Sequence, residues 1–274
     1  MAASGIDRFP ASLVLAGAGK MGGAMLLAWL DQGLDPRRIG VIDPQPSRTI
    51  LELAAARGFT LNAAANPPEV LVLAIKPQVL DEAGVLAPLA GPRTLVISVL
   101  AGKTIANISA RFPQAHAIVR AMPNLPAAVG RGIAGVAANE TVTLEQRALA
   151  EALLGATGRI EWLADEGLID AVTAVSGSGP AYVFYLAECL AQAGAALGLP
   201  ADAAARLARA TVEGAGELLF RNDASTPAEL RESVTSRGGT TAAALEVLMA
   251  QDGLAPLIER AVKAAQQRAE ALSG

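Results

Sequence analysis

An α/β fold, a doubly wound parallel sheet followed by an all-helical second half, is predicted for this 274-residue sequence. Three observations predict it. Up to about Ala164, short β-rich runs alternate with Ala/Leu-rich stretches of crossover-helix length. Several of those runs are continuously apolar, as strands covered on both faces are. After Asp165 the strand signal stops, while long Ala/Leu/Glu/Arg segments continue. The expected organisation is a tail over 1–10, a sheet domain over 11–164 and a helical domain over 165–274.

Taken in order, residues 1–10 carry Asp7 and Arg8 but no apolar segment of signal-peptide type, so they read as a short disordered tail. The strand runs are Ser12–Ala16, Ile39–Ile42, Val70–Ile75, Thr94–Val99, Ala115–Val119 and Arg159–Leu163. The helical segments of the second half are Leu168–Val175, Pro180–Leu197, Ala201–Phe220, Pro227–Val234, Thr240–Ala250 and Leu254–Leu272. Gly198-Leu199-Pro200, Arg221-Asn222-Asp223 and Gln251-Asp252-Gly253 supply the turn chemistry between them.

Composition removes several function classes. Apolar residues make up 52% and aromatics 3%, with a net charge of −4 and no run of like charges, so nothing favours nucleic acid or anionic lipid. No stretch reaches the roughly 18 apolar residues of a membrane span, and the expectation is a cytoplasmic protein without a membrane partner. A lone cysteine, Cys189, forms no internal disulfide and reads as a small hydrophobe in a reducing compartment. The single histidine, His116, sits in an apolar run and reads as a core or edge residue. HExxH, clustered Cys/His and GxSxG patterns are all missing, so no metal and no Ser–His triad is expected.

Chemistry is carried by two glycine-containing turns. Gly17-Ala18-Gly19-Lys20-Met21-Gly22 follows the first strand, at Ala16, and opens a helix. Glycines there allow a tight turn, backbone approach to a pyrophosphate and close helix packing, the pattern of a Rossmann-type dinucleotide site. Asp43 ends the second strand about 20 residues later, where a carboxylate accepts from an adenosine ribose and repels a 2′-phosphate. Ser47 and Arg48 nearby would accommodate a phosphate if the loop turned Asp43 away, so NADPH and NADH both stay open. Lys76 and Pro77 close the third strand run at the ligand-binding edge of the sheet, where Lys76 is either a solvated charge or a cofactor contact. The second turn, Val234-Thr235-Ser236-Arg237-Gly238-Gly239-Thr240-Thr241, combines hydroxyls, glycines and a helix start. It suits a carboxylate, or serves as an ordinary interhelical turn.

Together these segments resemble the Δ1-pyrroline-5-carboxylate reductase family over almost the whole chain. The resemblance rests on Gly17–Gly22, Ala74–Gln78, Ser98–Gly102, Met122–Ala127, Leu168–Thr173, Ser176–Phe184 and Val234–Thr241. It implies an NADPH (or NADH) site lined by Ala16, Gly17, Ala18, Gly19, Lys20, Met21, Gly22, Asp43, Asn62, Ala74, Ile75, Lys76, Pro77, Val99, Leu100 and Ala101. It implies that Ser236, Gly238, Gly239, Thr240 and Thr241 hold the carboxylate of pyrroline-5-carboxylate or proline, with Glu166 close by. Thr241 and Glu166 are then the candidate catalytic residues. The helical half becomes a dimerisation domain, giving a homodimer or an assembly of such dimers. Arg237 stands where the family commonly has Pro, and Leu125 where it has Thr.

Two other readings compete. A β-hydroxyacid dehydrogenase would need a lysine in the first long helices after the sheet domain. The four lysines, Lys20, Lys76, Lys103 and Lys263, lie elsewhere. A non-catalytic NAD(P)-binding sensor would keep the first glycine turn and have no use for the second.

Overall fold

The computed structural model describes residues 8–63 and 66–273, without the side chains of residues 81–83. Residues 1–7 of the expected tail lie outside the described residues; Phe9 and Pro10, in contrast, are buried, with Phe9 part of the hydrophobic core. The chain divides into two compact units, one running to Gly177 and taking up again at Gln266, the other Ser178–Ala265.

The first unit contains β1 (Leu13–Ala16), α1 (Lys20–Asp31), β2 (Ile39–Ile42), α2 (Arg48–Arg57), β3 (Thr60–Leu61) and β4 (Val70–Leu73). It continues with a 3-10 segment (Pro77–Leu89), β5 (Leu95–Ser98), α3 (Ile105–Arg111), β6 (Ala117–Met122), β7 (Gly132–Ala138), α4 (Leu144–Gly155) and β8 (Gly158–Trp162). The short helix α5 (Ile169–Val172) and a π-helical turn (Thr173–Gly177) follow.

The strands form one sheet in the order β3-β2-β1-β4-β5-β6-β7-β8. All pairings are parallel except β6 with β7. Strand order reverses between β1, which pairs with β2 on one side, and β4 on the other. Alternating strand residues feed two core layers. Leu13, Leu15, Val70, Val72, Leu95 and Ile97 pack with Met25, Leu26 and Trp29 of α1 on one face. Val14, Ala16, Leu71, Leu73 and Val96 pack with Ile108 and Phe112 on the other. This double coverage is what continuously apolar strands require.

Two departures from the sequence reading have physical causes. β7 falls where no strand was expected, because Gly132-Ile133-Ala134-Gly135-Val136-Ala137-Ala138 is poor in strand-forming side chains. Its small residues serve packing instead: a Cβ on Gly135 would lie 2.7 Å from the Val172 side chain, so α5 rests on the strand where the glycine is. The connection between β4 and β5 is 3-10 and not an α-helix, with Pro77 at its start and Pro88 inside it.

The second unit holds α6 (Gly179–Ala196), α7 (Ala201–Arg221), α8 (Pro227–Ser233) and α9 (Thr240–Leu248). α10 (Leu254–Ser273) begins in it and ends in the first unit. Among the described residues of α6 to α9, only Ala204 and Ala208 are fully buried. No helix of the described residues is long and apolar enough to cross a membrane.

Candidate dinucleotide and substrate site

The first glycine turn joins β1 to α1 at the carboxyl edge of the sheet, beside the end of β4. That is the point of strand-order reversal, where sheets of this kind bind ligands. Its three glycines meet three different demands. Gly17 adopts φ +89, and a Cβ there would lie 2.6 Å from the Ala74 carbonyl oxygen. Gly22 would place a Cβ 2.0 Å from the Gly17 carbonyl, so α1 packs directly on the turn. At Gly19 a Cβ would meet nothing within 4 Å, which leaves open space over the helix start. No side chain caps α1, so its first N–H groups, with Lys20 and Met21, face that space without an internal acceptor. The turn therefore fits a dinucleotide pyrophosphate.

Asp43 braces this turn. Its Oδ2 accepts from the Ala18 N–H at 2.9 Å and its Oδ1 from the Gln45 N–H at 2.9 Å. Asn62, at φ +56, accepts from the Asp43 N–H and donates to its carbonyl, both at 2.9 Å. On the other side, the Ala74 N–H donates to the Ala16 carbonyl at 2.8 Å, leading into Ile75, exposed Lys76 and Pro77. The Val99 N–H donates to the Leu73 carbonyl at 3.0 Å, which seats the Val99, Leu100 and Ala101 loop alongside. All of the expected cofactor residues thus converge on one edge of the first unit.

Glu166 lies in the same unit, at the start of a 3-10 turn. Its Oε1 accepts from the Ile105 N–H at 2.7 Å and from Arg120 Nη1 at 2.9 Å. Arg120 is 5% exposed and also approaches Asp170 at 3.8 Å. Sequence reasoning missed Arg120, although a charge inside the apolar run Ile118-Val119-Arg120-Ala121 was the available signal. It also assigned nothing to Asn124, which accepts from the Ile133 N–H at 3.0 Å and donates to the Ser176 carbonyl at 3.2 Å. Asn124 thereby ties the loop after β6 to the π-helical turn. Such turns recur at functional sites.

The second glycine turn belongs to the second unit. Gly238 adopts φ +72, and the Gly239 N–H donates to the Ser236 carbonyl at 3.0 Å. Gly239 then opens α9, again with no side-chain cap, and with the hydroxyls of Thr240 and Thr241 in its first turn. By contrast α8 is closed by a capping box of Thr226 and Glu229. Ser236, Arg237, Gly238 and Thr240 are exposed, Thr241 half-buried. His116 is exposed at the amino edge of β6, away from the glycine turn, and its carbonyl accepts from Asn139 and Thr141. No group of metal-ligating side chains occurs among the described residues.

Fold and first turn define the class: a Rossmann-type nucleotide-binding unit joined to a helical unit. A family profile described as NADP oxidoreductase, coenzyme F420-dependent, matches residues 12–102, and one described as pyrroline-5-carboxylate reductase dimerisation matches residues 166–272. Pyrroline-5-carboxylate reductase from Synechocystis sp. is 49% identical over 76% of this chain and 77% of its own. The enzyme of that name from Pseudomonas aeruginosa is 39% identical over 94% of this chain and 95% of its own. A solved pyrroline-5-carboxylate reductase from Coxiella burnetii superposes with a TM-score of 0.88 at 34% identity, covering 97% of this chain and 99% of that one. A Plasmodium falciparum pyrroline carboxylate reductase solved with NADP bound gives 0.75 at 25% identity, covering 96% and 98%. The chain belongs to the pyrroline-5-carboxylate reductase family.

Proposed function

We propose that the protein reduces 1-pyrroline-5-carboxylate to L-proline with NADPH, the last step of proline biosynthesis. The observation that carries this reading is the first glycine turn, which leaves open space over an uncapped helix start at the strand-order reversal. Full-length kinship to the reductases supplies the substrate.

The reduced nicotinamide, when bound, supplies a hydride to the C=N carbon of the cyclic imine. A protonated imine is already electrophilic, so the chain's task is orientation and charge placement, consistent with a site that uses no histidine. Gly17–Gly22 receive the pyrophosphate, and Asn62, Ala74–Pro77 and Val99–Ala101 line the rest of the cofactor. NADPH is taken over NADH on the NADP-oxidoreductase profile and the relative solved with NADP, since Asp43 keeps its charge while bound to the Ala18 and Gln45 N–H groups, Ser47 caps α2 and Arg48 pairs with Glu52 at 2.7 Å. Ser236–Thr241 hold the substrate carboxylate through backbone donors and the Thr240 and Thr241 hydroxyls. Glu166, fixed by Arg120 and Ile105, sets negative charge near the iminium nitrogen.

A homodimer formed through the helical unit, able to assemble further, accounts for its exposed apolar residues, among them Phe184, Tyr185, Leu218 and Leu219. In such a dimer the Ser236–Thr241 turn serves the nicotinamide of the partner subunit. A reducing, cytoplasmic setting suits the free Cys189. The test is spectrophotometric. Pyrroline-5-carboxylate is expected to drive stoichiometric NADPH oxidation with proline as product, faster than with NADH, and hydroxyacids to drive none. Tight cofactor binding without reduction of any imine would overturn the reading.

A further inference from the structure

We infer that the last turn of α10 is a latch that positions the Leu100–Gly102 loop, so that Ser273 and Asp170 tune affinity for the dinucleotide. The inference rests on the proposed role of that loop in cofactor binding. It starts from the contact at Gly102, which adopts φ +69 and would place a Cβ 2.9 Å from the Leu272 carbonyl oxygen. The backbone of the chain's last helix thus abuts the loop with no side chain between them.

A polar chain fixes that helix end. Ser273 Oγ lies 3.0 Å from Asp170 Oδ1 and 3.1 Å from the Ala269 carbonyl, and its single proton serves one of them at a time. Asp170 lies 3.8 Å from Arg120 Nη2, the same buried guanidinium that Glu166 pairs with. Glu166 also accepts from the Ile105 N–H, the first residue of α3, into which the loop leads. The loop is therefore held at both ends of its exit from the sheet: by the β4–β5 hydrogen bond at Val99 and by Glu166 at Ile105. In its middle, at Gly102, it lies directly against the Leu272 backbone. One buried arginine anchors both Glu166 and, through Asp170, the helix end.

Residues 266–273 pack as part of the first unit, with Ala269 buried. A loop already ordered by the latch loses less conformational freedom when a ligand binds, so removing the latch weakens that ligand selectively. The polar contacts of Ser273 and Asp170 run to each other, to the Ala269 carbonyl and to Arg120, which makes them positioning residues and not catalytic ones.

The experiment compares the wild-type protein with full-length Ser273→Ala, Ser273→Thr and a chain ending at Ala271. NADPH affinity is read directly by fluorescence titration, and the KM for NADPH and for pyrroline-5-carboxylate by steady-state kinetics. The expected result is a dissociation constant for NADPH raised about three- to tenfold in the shortened chain and less in Ser273→Ala. Ser273→Thr restores the wild-type value, and the KM for the imine is unchanged throughout. Unchanged NADPH affinity in the shortened chain overturns the latch, as does an equal rise in both KM values with a lower thermal midpoint. Because the titration needs no turnover, a wild-type protein that binds NADPH without reducing the imine refutes the proposed reaction and leaves the latch to stand or fall on its own result.

Discussion

At Gly17 an added methyl group would meet the Ala74 carbonyl at 2.6 Å, whereas at Gly19 it would meet empty space, so two glycines two residues apart answer to different forces. The first is required by the fold, while the second is free of that demand and is proposed to leave room for the ligand. Gly17→Ala is expected to lower the thermal midpoint, since the positive φ alone costs about 1–2 kcal/mol before the overlap is counted. Gly19→Asp is expected to leave the midpoint near wild type while weakening NADPH at least about tenfold, through like-charge repulsion of the pyrophosphate. Thermal unfolding and a cofactor titration on both variants check this, and the reverse pattern would contradict the assignment. Asp43 was legible as a residue, because strand end and spacing identify it. Its engagement with Ala18 and Gln45 was not, because a carboxylate that serves a ribose and one that serves its own loop have the same sequence signature. Arg120 shows the opposite blindness: an apolar run conceals a buried charge whose partners, Glu166 and Asp170, lie more than forty residues on.

α1 is bound to the sheet by its apolar face and to α4 by Trp29 Nε1, which donates to the Leu153 carbonyl at 2.8 Å from a fully buried ring, with Gln32 at the C-cap of α1 donating to the Ala156 carbonyl at 3.0 Å. Trp29→Ala is expected to cost about 3–5 kcal/mol of stability, measured by denaturant unfolding. A loss below about 1 kcal/mol would mean that α1 is held by something else. At α8, the Thr226 N–H and hydroxyl hold the Glu229 carboxyl below its ordinary value of 4.5. A carboxyl depressed in the folded state stabilises above its unfolded pKa and loses that contribution as pH falls through the folded value. The gap in thermal midpoint between wild type and Glu229→Ala should therefore be constant at neutral pH and shrink on acidification below about 4.5; a gap independent of pH would refute the capping box as its source. Elements with strong periodicity, such as β1, β4 and α7, were readable in the sequence within a residue or two. β7 was not, because its glycines and alanines answer to α5 packing and not to strand propensity. Nor was the 3-10 path over Pro77–Leu89, where prolines compete with an otherwise helical pattern.

As a whole, the molecule pairs a first unit with two well-filled core layers and a second unit that buries little of its own apolar surface. A helical unit of this kind gains stability by association, and the proposed dimer gives its exposed Phe184 and Tyr185 a place. The central claim is that two uncapped helix starts, α1 with a dinucleotide and α9 with a small acid, act on one imine across that dimer. Subunit mixing tests it most directly. Gly19→Asp disables the first turn and Thr241→Ala the second, and each homodimer is expected to reduce pyrroline-5-carboxylate poorly. Unfolded together and refolded as mixed dimers, they should recover activity, because one composite site then has both turns intact. No recovery in verified mixed dimers, or full activity of either variant alone, would contradict the account.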